Sequence, residues 1–469
     1  MATTIPSNNA SFSADELRTA TGGQWHGQGA DVCGVSIDSR RVDEGGLFVA
    51  VRGERTDGHE YASVAAKRGA SAIVCERPVH DAPGVAQLLV TDSRAALGEI
   101  ASHYRQRWGG TILGITGSAG KTSCKELSAA ALGGAGESVV ATKGNLNNLF
   151  GLPMTMLSVP ESAKFGVLEM GTSEAGEIER LGTIASPDVG VVTLVSAAHT
   201  LGLGGIEQVR TEKASLFRTL PPEGTAIANA DDPEMVRLAK SSGAARVLTF
   251  GKAQGSSLRL VDFSLLDDLR TRVTLQILGA PRPLEFRVRL LGEPAAYNAA
   301  AAIAGSFALG VEPELAASRL EACEAIPGRL FPMRIGDRFV LDDSYNASPR
   351  AGIAALHTLV DLAKLTDSRP VAFLGDMKEL GSLSRQSHQD LIREAIRLRV
   401  ALCVGCGPEM VGAASALGDE ASEIRLVEDG AEAAQFIDRW TRDGDLILIK
   451  GSRSMRMEQL MDKLREIGE

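Results

Sequence analysis

Apolar and polar positions along the chain fall into three successive series. Between residues 32 and 108 the short apolar runs VCGVSI, GLFVAV, SAIVC and AQLLV read as strands, and the amphipathic stretches YASVAAKRGA and SRAALGEIASHYRQRW read as helices. Beyond Trp108 and the pair Gly109-Gly110, strands are expected near 111–116, 138–142, 165–170, 189–195, 224–228 and 246–249, alternating with helical segments. That alternation predicts a largely parallel sheet, because each parallel crossover lays a helix on a sheet face. Residues 256–291 switch to period-two alternation around turn residues, which predicts antiparallel strands appended to the sheet, and an Ala-rich helix pair closes the series. The Pro- and Gly-bearing segment IPGRL, residues 326–330, predicts a hinge. A third series follows, with strands at RFVLDD, PVAFLG, ALCVG, IRLVE and DLILIK and a terminal helix from about Met455.

The pattern therefore predicts three α/β domains, 1–108, 109–327 and 328–469, and a length of 469 residues gives each enough chain for its own core. Hydrophobic residues at 44% and charged residues at 23% exclude a fibrous or disordered chain. With 49 Lys and Arg against 59 Asp and Glu, the net charge of -10 argues against a nucleic-acid-binding surface, and 4% aromatics argue against base stacking. The opening MATTIPSNNA lacks a basic start with an apolar core, and no later run reaches about 18 apolar residues. A cytoplasmic chain without a membrane span is the expectation. The six cysteines are scattered, which suits reduced thiols. Cys403 and Cys406 form the one C-x-x-C, with no second pair or nearby histidines, so they read as an apolar strand end rather than a zinc site.

The strongest chemical signal is GITGSAGKTS, residues 114–123, between an expected strand and an expected helix. Glycines let backbone N–H groups close around phosphate oxygens, Lys121 supplies a point charge, and the Thr122 hydroxyl can ligate Mg²⁺. Ile115 stands where the longer Walker form has glycine, so the loop is the G-x-x-G-K-T form. Glu169 ends the strand FGVLEM, where a sheet presents a metal-binding carboxylate beside such a loop. His199 follows the strand VGVVTLV at the same edge, either as a loop residue or as a ligand. In NLNNLFGLP, Asn145, Asn147 and Asn148 suit equally a structural loop and polar recognition of a substrate. LDDSYNASP, GDMKELG and KGSRSMRME occupy strand-to-helix edges of the third series, where open sheets bind ligands; a helix start with Arg453 nearby suits a carboxylate.

Together with VSIDSRRV and GLFVAVRGERTDGHEY in the first series, and LEMGTSEAGEI and NADDP in the second, these segments resemble the Mur ligase family over nearly the whole chain. The resemblance implies a central P-loop sheet, a Rossmann-like C-terminal domain, and an ATP-dependent amide ligase acting through an acyl-phosphate. Gly117, Ser118, Ala119, Gly120, Lys121, Thr122 and Ser123 would hold the ATP phosphates; Thr122 and Glu169 would bind Mg²⁺, and His199 a second ion. Lys213 falls where the family has a carbamylated lysine, although its own pattern is that of any helical lysine. Asn229 and Asn298 would lie by the base, and Arg329 and Asp343 would reach ATP once the third domain closes. Ser39 and Arg40 would lie near a UDP-sugar in the N-terminal domain, and Asn346 and Arg453 would bind substrate in the C-terminal domain, which takes the incoming dipeptide.

Within the family, LDDSYNASP and GDMKELG resemble the member that adds D-alanyl-D-alanine to UDP-N-acetylmuramoyl-tripeptide, completing the peptidoglycan precursor, and a monomer is expected. The alternatives are the preceding ligase, which adds the third amino acid and whose D-N-P-R motif is absent, and a P-loop kinase or switch, for which N-K-x-D is absent. The chain departs from the family pattern at Ser215, where an acidic residue is usual, at Pro294-Ala295 in place of His-Asn, and around Leu194-Val195-Ser196.

Overall fold

The structure is a computed structural model and describes residues 3–468 except 54–55 and 197–199. Three separate sheets carry the three series. The first has five strands in the spatial order Gln24–His26, Ala86–Leu89, Ala72–Cys75, Leu47–Val49 and Val35–Ser36, all parallel except the first. The helix Ser93–Trp108 closes this part, started by Asp92, whose carboxylate accepts from the Arg94 and Ala95 N–H groups. Three elements were not expected from the sequence: the strand Ser11–Phe12, which pairs antiparallel with Val32–Cys33, the strand Gln24–His26, and the helix Ala14–Thr21 with a Ser13/Glu16 capping box.

The central sheet has nine strands. The strand Thr111–Thr116 lies between Phe165–Glu169 and Val189–Val192, with Val139–Ala141 at the near edge. On the far side follow Thr225–Asn229, Arg246–Gly251 and Leu258–Leu265, all parallel, and then the antiparallel pair Thr271–Ile277 and Leu284–Val288. Chain order reverses on either side of Thr111–Thr116, so a crevice opens at its carboxyl end. The helix Gly292–Ala308 is buried nearly all round, as a run of alanines permits, and packs against the P-loop helix Lys121–Ala131. At its start Gly292 sits so close to Thr358 of the helix Pro349–Leu365 that a Cβ would lie 2.2 Å from the hydroxyl, which ties the central and C-terminal parts together.

The third sheet runs Phe331–Ile335, Arg338–Asp343, Asp445–Lys450, Arg369–Gly375, Leu402–Cys406, Arg425–Val427, parallel except for the first pair. Its continuous apolar runs serve two cores. Leu341, Ala372, Cys403 and Leu448 face helices Pro349–Leu365 and Ser384–Arg397, while Val340, Phe373, Val404 and Ile447 face Gly430–Trp440 and Glu458–Gly468. The odd spacing of Cys403 and Cys406 puts them on opposite faces. Both are buried and free, burial pushes the Cys403 thiol up to about 12, and no cluster of three or more His, Cys, Asp or Glu that could hold a metal occurs among the described residues. The edge strand Phe331–Ile335 was hidden in the sequence by Pro332, which an edge tolerates because one side of it makes no ladder. No helix of the described residues is long and apolar enough to cross a membrane.

Candidate active site

A cleft of about 1140 Å³ opens where the three sheets meet, lined by residues of all three. Its floor is the loop between Thr116 and the helix Lys121–Ala131. At Gly117, φ is +152° and a Cβ would lie 2.1 Å from the Thr193 hydroxyl; at Gly120, φ is +85° and a Cβ would lie 2.4 Å from Asn298 Oδ1. Side chains are thereby excluded, and the loop can approach a ligand with its backbone. Thr193 Oγ1 donates to the Ala119 carbonyl at 2.6 Å, and Ser118 is tied by its N–H to the Leu194 carbonyl and by its hydroxyl to that of Ser196. Lys121 Nζ donates to the Gly117 carbonyl at 2.8 Å, curled back over the loop. Burial pushes its ammonium below the ordinary lysine range, the charge of Glu169 opposes this, and that of Arg329 adds to it. Ser123 is buried in the first turn of the helix behind the loop.

Glu169, 3% exposed, ends the neighbouring strand. Its Oε1 accepts from Asn147 Nδ2 at 2.7 Å, and its Oε2 is buried with no hydrogen-bond partner among the described residues. An orphaned carboxylate oxygen beside the Thr122 hydroxyl and the phosphate loop is the donor set a hard divalent cation takes. The asparagine-rich loop divides its labour. Asn147 serves Glu169; Asn148 caps the helix Gly151–Leu157 by accepting from the Phe150 and Gly151 N–H groups; exposed Asn145 lines the cleft. His199 lies outside the described residues.

Lys213 is the residue whose sequence pattern said least. The helix Ile206–Arg218 carries it to full burial, with Nζ bonded to nothing among the described residues. Burial pushes its amine well below the ordinary lysine range and the Lys121 charge adds to that, against Glu212, Glu177 and Glu169. At the usual acidic position, Ser215 instead donates to the Glu212 carbonyl of its own helix at 2.6 Å.

Asn229 and Asn298, both buried, stand at the far end of the loop with Phe250 and Tyr297, beside Pro294 and Ala295. From the C-terminal part, Arg329 stacks 4.3 Å from the Tyr345 ring centre, and its Nη2 donates to the Thr122 hydroxyl at 3.2 Å, so the third domain already touches the phosphate loop. Asp343 receives Lys450 Nζ at 2.6 Å and the Leu330 N–H at 3.2 Å, which pins the segment that joins the domains. Lys450 also donates to the Asn346 carbonyl at 3.0 Å. Replacing Asp343 with alanine would strand a buried cation. The expected cost is about 3–5 kcal/mol of stability, read as a lower denaturant midpoint.

Asn346 and Arg453 line the same cleft. Ser39 and Arg40 do not. Ser39 is buried in the turn Ser39–Arg41, and exposed Arg40 is paired with Asp38 at 2.9 Å. Five cleft cations were not singled out from the sequence: Arg52, Arg94, Arg350, Lys378 and Lys450. Arg94 had a legible signal, since a cation in the first turn of a helix opposes the helix dipole.

A glycine loop between strand and helix, a buried unsatisfied carboxylate oxygen and basic groups from the C-terminal part line one cleft, the arrangement of a multidomain ligase. Family models agree along the chain: the Mur ligase family catalytic domain over residues 31–105, the Mur ligase middle domain over 115–305, and the Mur ligase, glutamate ligase domain over 328–453. The UDP-N-acetylmuramoyl-tripeptide--D-alanyl-D-alanine ligase of Escherichia coli (strain K12) is 34% identical over 451 residues, 94% of this chain and 96% of that one. The enzyme of that name from Bacillus subtilis (strain 168) is 31% identical, over 92% and 93% of the two chains. Among solved structures, MurF from Acinetobacter baumannii superposes with a TM-score of 0.88 at 30% identity, covering 97% of this chain and 99% of that one. The MurF ligase from Thermotoga maritima in complex with ADP gives 0.82 at 28%, covering 92% and 97%. The chain belongs to the Mur ligase family and is a ligase.

Proposed function

We propose that this chain joins D-alanyl-D-alanine to UDP-N-acetylmuramoyl-tripeptide with ATP and Mg²⁺, through an acyl-phosphate of the tripeptide. The observation that carries the reading is the contact of Arg329 with Thr122, because it brings the C-terminal domain, with its own sheet-edge groups, onto the phosphate loop. The residues present fit the nucleotide and metal: Gly117 and Gly120 leave room that a Cβ would fill, and Glu169 Oε2 is buried and unsatisfied.

In this reading Gly117 to Ser123 cradle the phosphates, with Thr122 and Glu169 holding the metal and His199 a second ion. Bound Mg²⁺ supplies charge neutralisation for phosphoryl transfer. Lys121 lies where negative charge builds as the phosphoryl group moves to the tripeptide carboxylate, and Arg329 adds a second cation on closure. Asn147 keeps Glu169 turned toward the metal, as an outer hydrogen bond does for a ligand. Asn229 and Asn298 border the base. The C-terminal groups around Asn346 and Arg453 receive the dipeptide, whose neutral amine attacks the acyl carbon and expels phosphate. Closure of the three domains keeps water from that intermediate. Ser39 and Arg40 belong to the N-terminal substrate domain at a distance from the reacting atoms.

An acyl-phosphate leaves one oxygen of the carboxylate in the phosphate released. Tripeptide labelled with ¹⁸O in its terminal carboxylate should therefore give phosphate carrying one ¹⁸O per turnover, read by mass spectrometry. Unlabelled phosphate accompanied by amide product would exclude the acyl-phosphate route.

A further inference from the structure

We infer that Arg94, with Arg52 also lining the cleft, reads the second carboxylate of a diaminopimelyl residue at the third position of the tripeptide and so selects that substrate over its lysyl counterpart; the inference rests on the ligase reading above. Arg94 is the second residue of the helix Ser93–Trp108, where a cation faces the positive end of the dipole, so the stability of that helix does not account for it. Its guanidinium has no ion pair or side-chain hydrogen bond among the described residues. Instead it lies 5.2 Å from the centre of the Phe150 ring, across the junction between the N-terminal and central parts. The side chain lines the cleft, where its N–H groups can meet a ligand. Arg52, which lines the same cleft, approaches Asp57 and Glu76 no closer than 3.7 Å. Asp57 is already engaged by His59 at 2.6 Å and by Arg77 at 2.9 Å. Two guanidinium groups thus face the cleft with their charge poorly matched.

Their position relative to the chemistry follows from the asparagine-rich loop. Asn147 holds Glu169, and Phe150, which holds Arg94, is three residues further on, a span of at most about 10 Å. The reacting carboxylate of the third residue must lie beside Glu169. In diaminopimelate a second carboxylate lies six carbon–carbon bonds away, roughly 8 Å when extended, a reach of the same order as that loop segment. Lysine shares the distal ammonium and lacks the distal carboxylate. A planar guanidinium is the group that binds a carboxylate bidentately, and losing such a charge-assisted pair costs about ten- to a hundredfold.

The test is phosphate release with D-alanyl-D-alanine and UDP-N-acetylmuramoyl-tripeptide ending in either meso-diaminopimelate or L-lysine, for the wild type, Arg94→Gln and Arg94→Lys. The wild type should favour the diaminopimelyl substrate in kcat/KM by about tenfold or more. Arg94→Gln should collapse that ratio toward one, and Arg94→Lys should restore part of it. A wild type indifferent to the third residue would overturn the inference. So would an equal loss on both substrates in Arg94→Gln, which would point to the diphosphate common to both or to a structural role. Turnover of neither substrate by the wild type would fail the ligase reading itself, and this inference with it.

Discussion

Replacing Lys121 with alanine is expected to lower kcat by about a thousandfold while leaving the protein folded. The loop places this ammonium against the Gly117 carbonyl at 2.8 Å, inside the space where phosphate oxygens would lie. Its charge is held there against burial, which pushes its proton affinity down. Such a cation contributes little to the resting fold. Its interaction strengthens when negative charge accumulates on a transferring phosphoryl group, and that difference between ground and transition state sets the rate. Alanine is the best helix former and Lys121 opens a helix, so the melting temperature should hold or rise. Circular dichroism and phosphate release separate the two effects. Unaltered turnover would remove the phosphate loop from the mechanism.

The second large effect is expected at Lys213. A fully buried lysine amine with no partner is stable when neutral, and its proton affinity is pushed far below that of an exposed lysine. The sign follows directly. Between its own lowered pKa and the ordinary value near 10.5, Lys213 is a free amine while surface lysines remain protonated. In the free-amine form it can attack carbon dioxide, forming a carbamate and releasing one proton, and falling pH removes that nucleophile by protonating it. The product places an anionic carboxylate near Lys121, which replaces like-charge repulsion with attraction. Intact protein equilibrated with ¹³C-bicarbonate should show one carbamate signal by NMR, absent in Lys213→Ala. That variant should lose about ten- to a hundredfold in kcat, as removal of groups that orient metal ligands does. A labelled signal that persists in Lys213→Ala, or turnover equal to the wild type, would exclude the role.

The sequence made most of this site legible because its elements depend on local rules. The phosphate loop announced itself by glycines between a strand and a helix, and the third sheet by apolar runs whose alternate residues serve two cores. What stayed hidden depends on long-range placement. Nothing around Lys213 marks it as buried, since its helix is amphipathic and most of the charged groups that act on it, Lys121, Glu169 and Glu177, come from distant segments. The cleft arginines Arg52 and Arg94 lie among ordinary surface charges until the fold brings Phe150 beneath one of them. Pro332 masked an edge strand, and the short strand Gln24–His26 carries a mixed polar sequence with no period of its own. Asn148 serves the structural reading by accepting from the Phe150 and Gly151 N–H groups, and it also lines the cleft, so both of its readings stay open.

The account stands on one division of labour, in which the first domain brings a nucleotide-sugar tripeptide, the second phosphorylates it and the third delivers a dipeptide. Phosphate release from Mg-ATP tests it most directly with two substrate pairs. One pair is UDP-N-acetylmuramoyl-tripeptide with D-alanyl-D-alanine; the other is UDP-N-acetylmuramoyl-dipeptide with diaminopimelate or lysine. Release with the first pair and none with the second is the predicted result, and release with the second pair alone would contradict it.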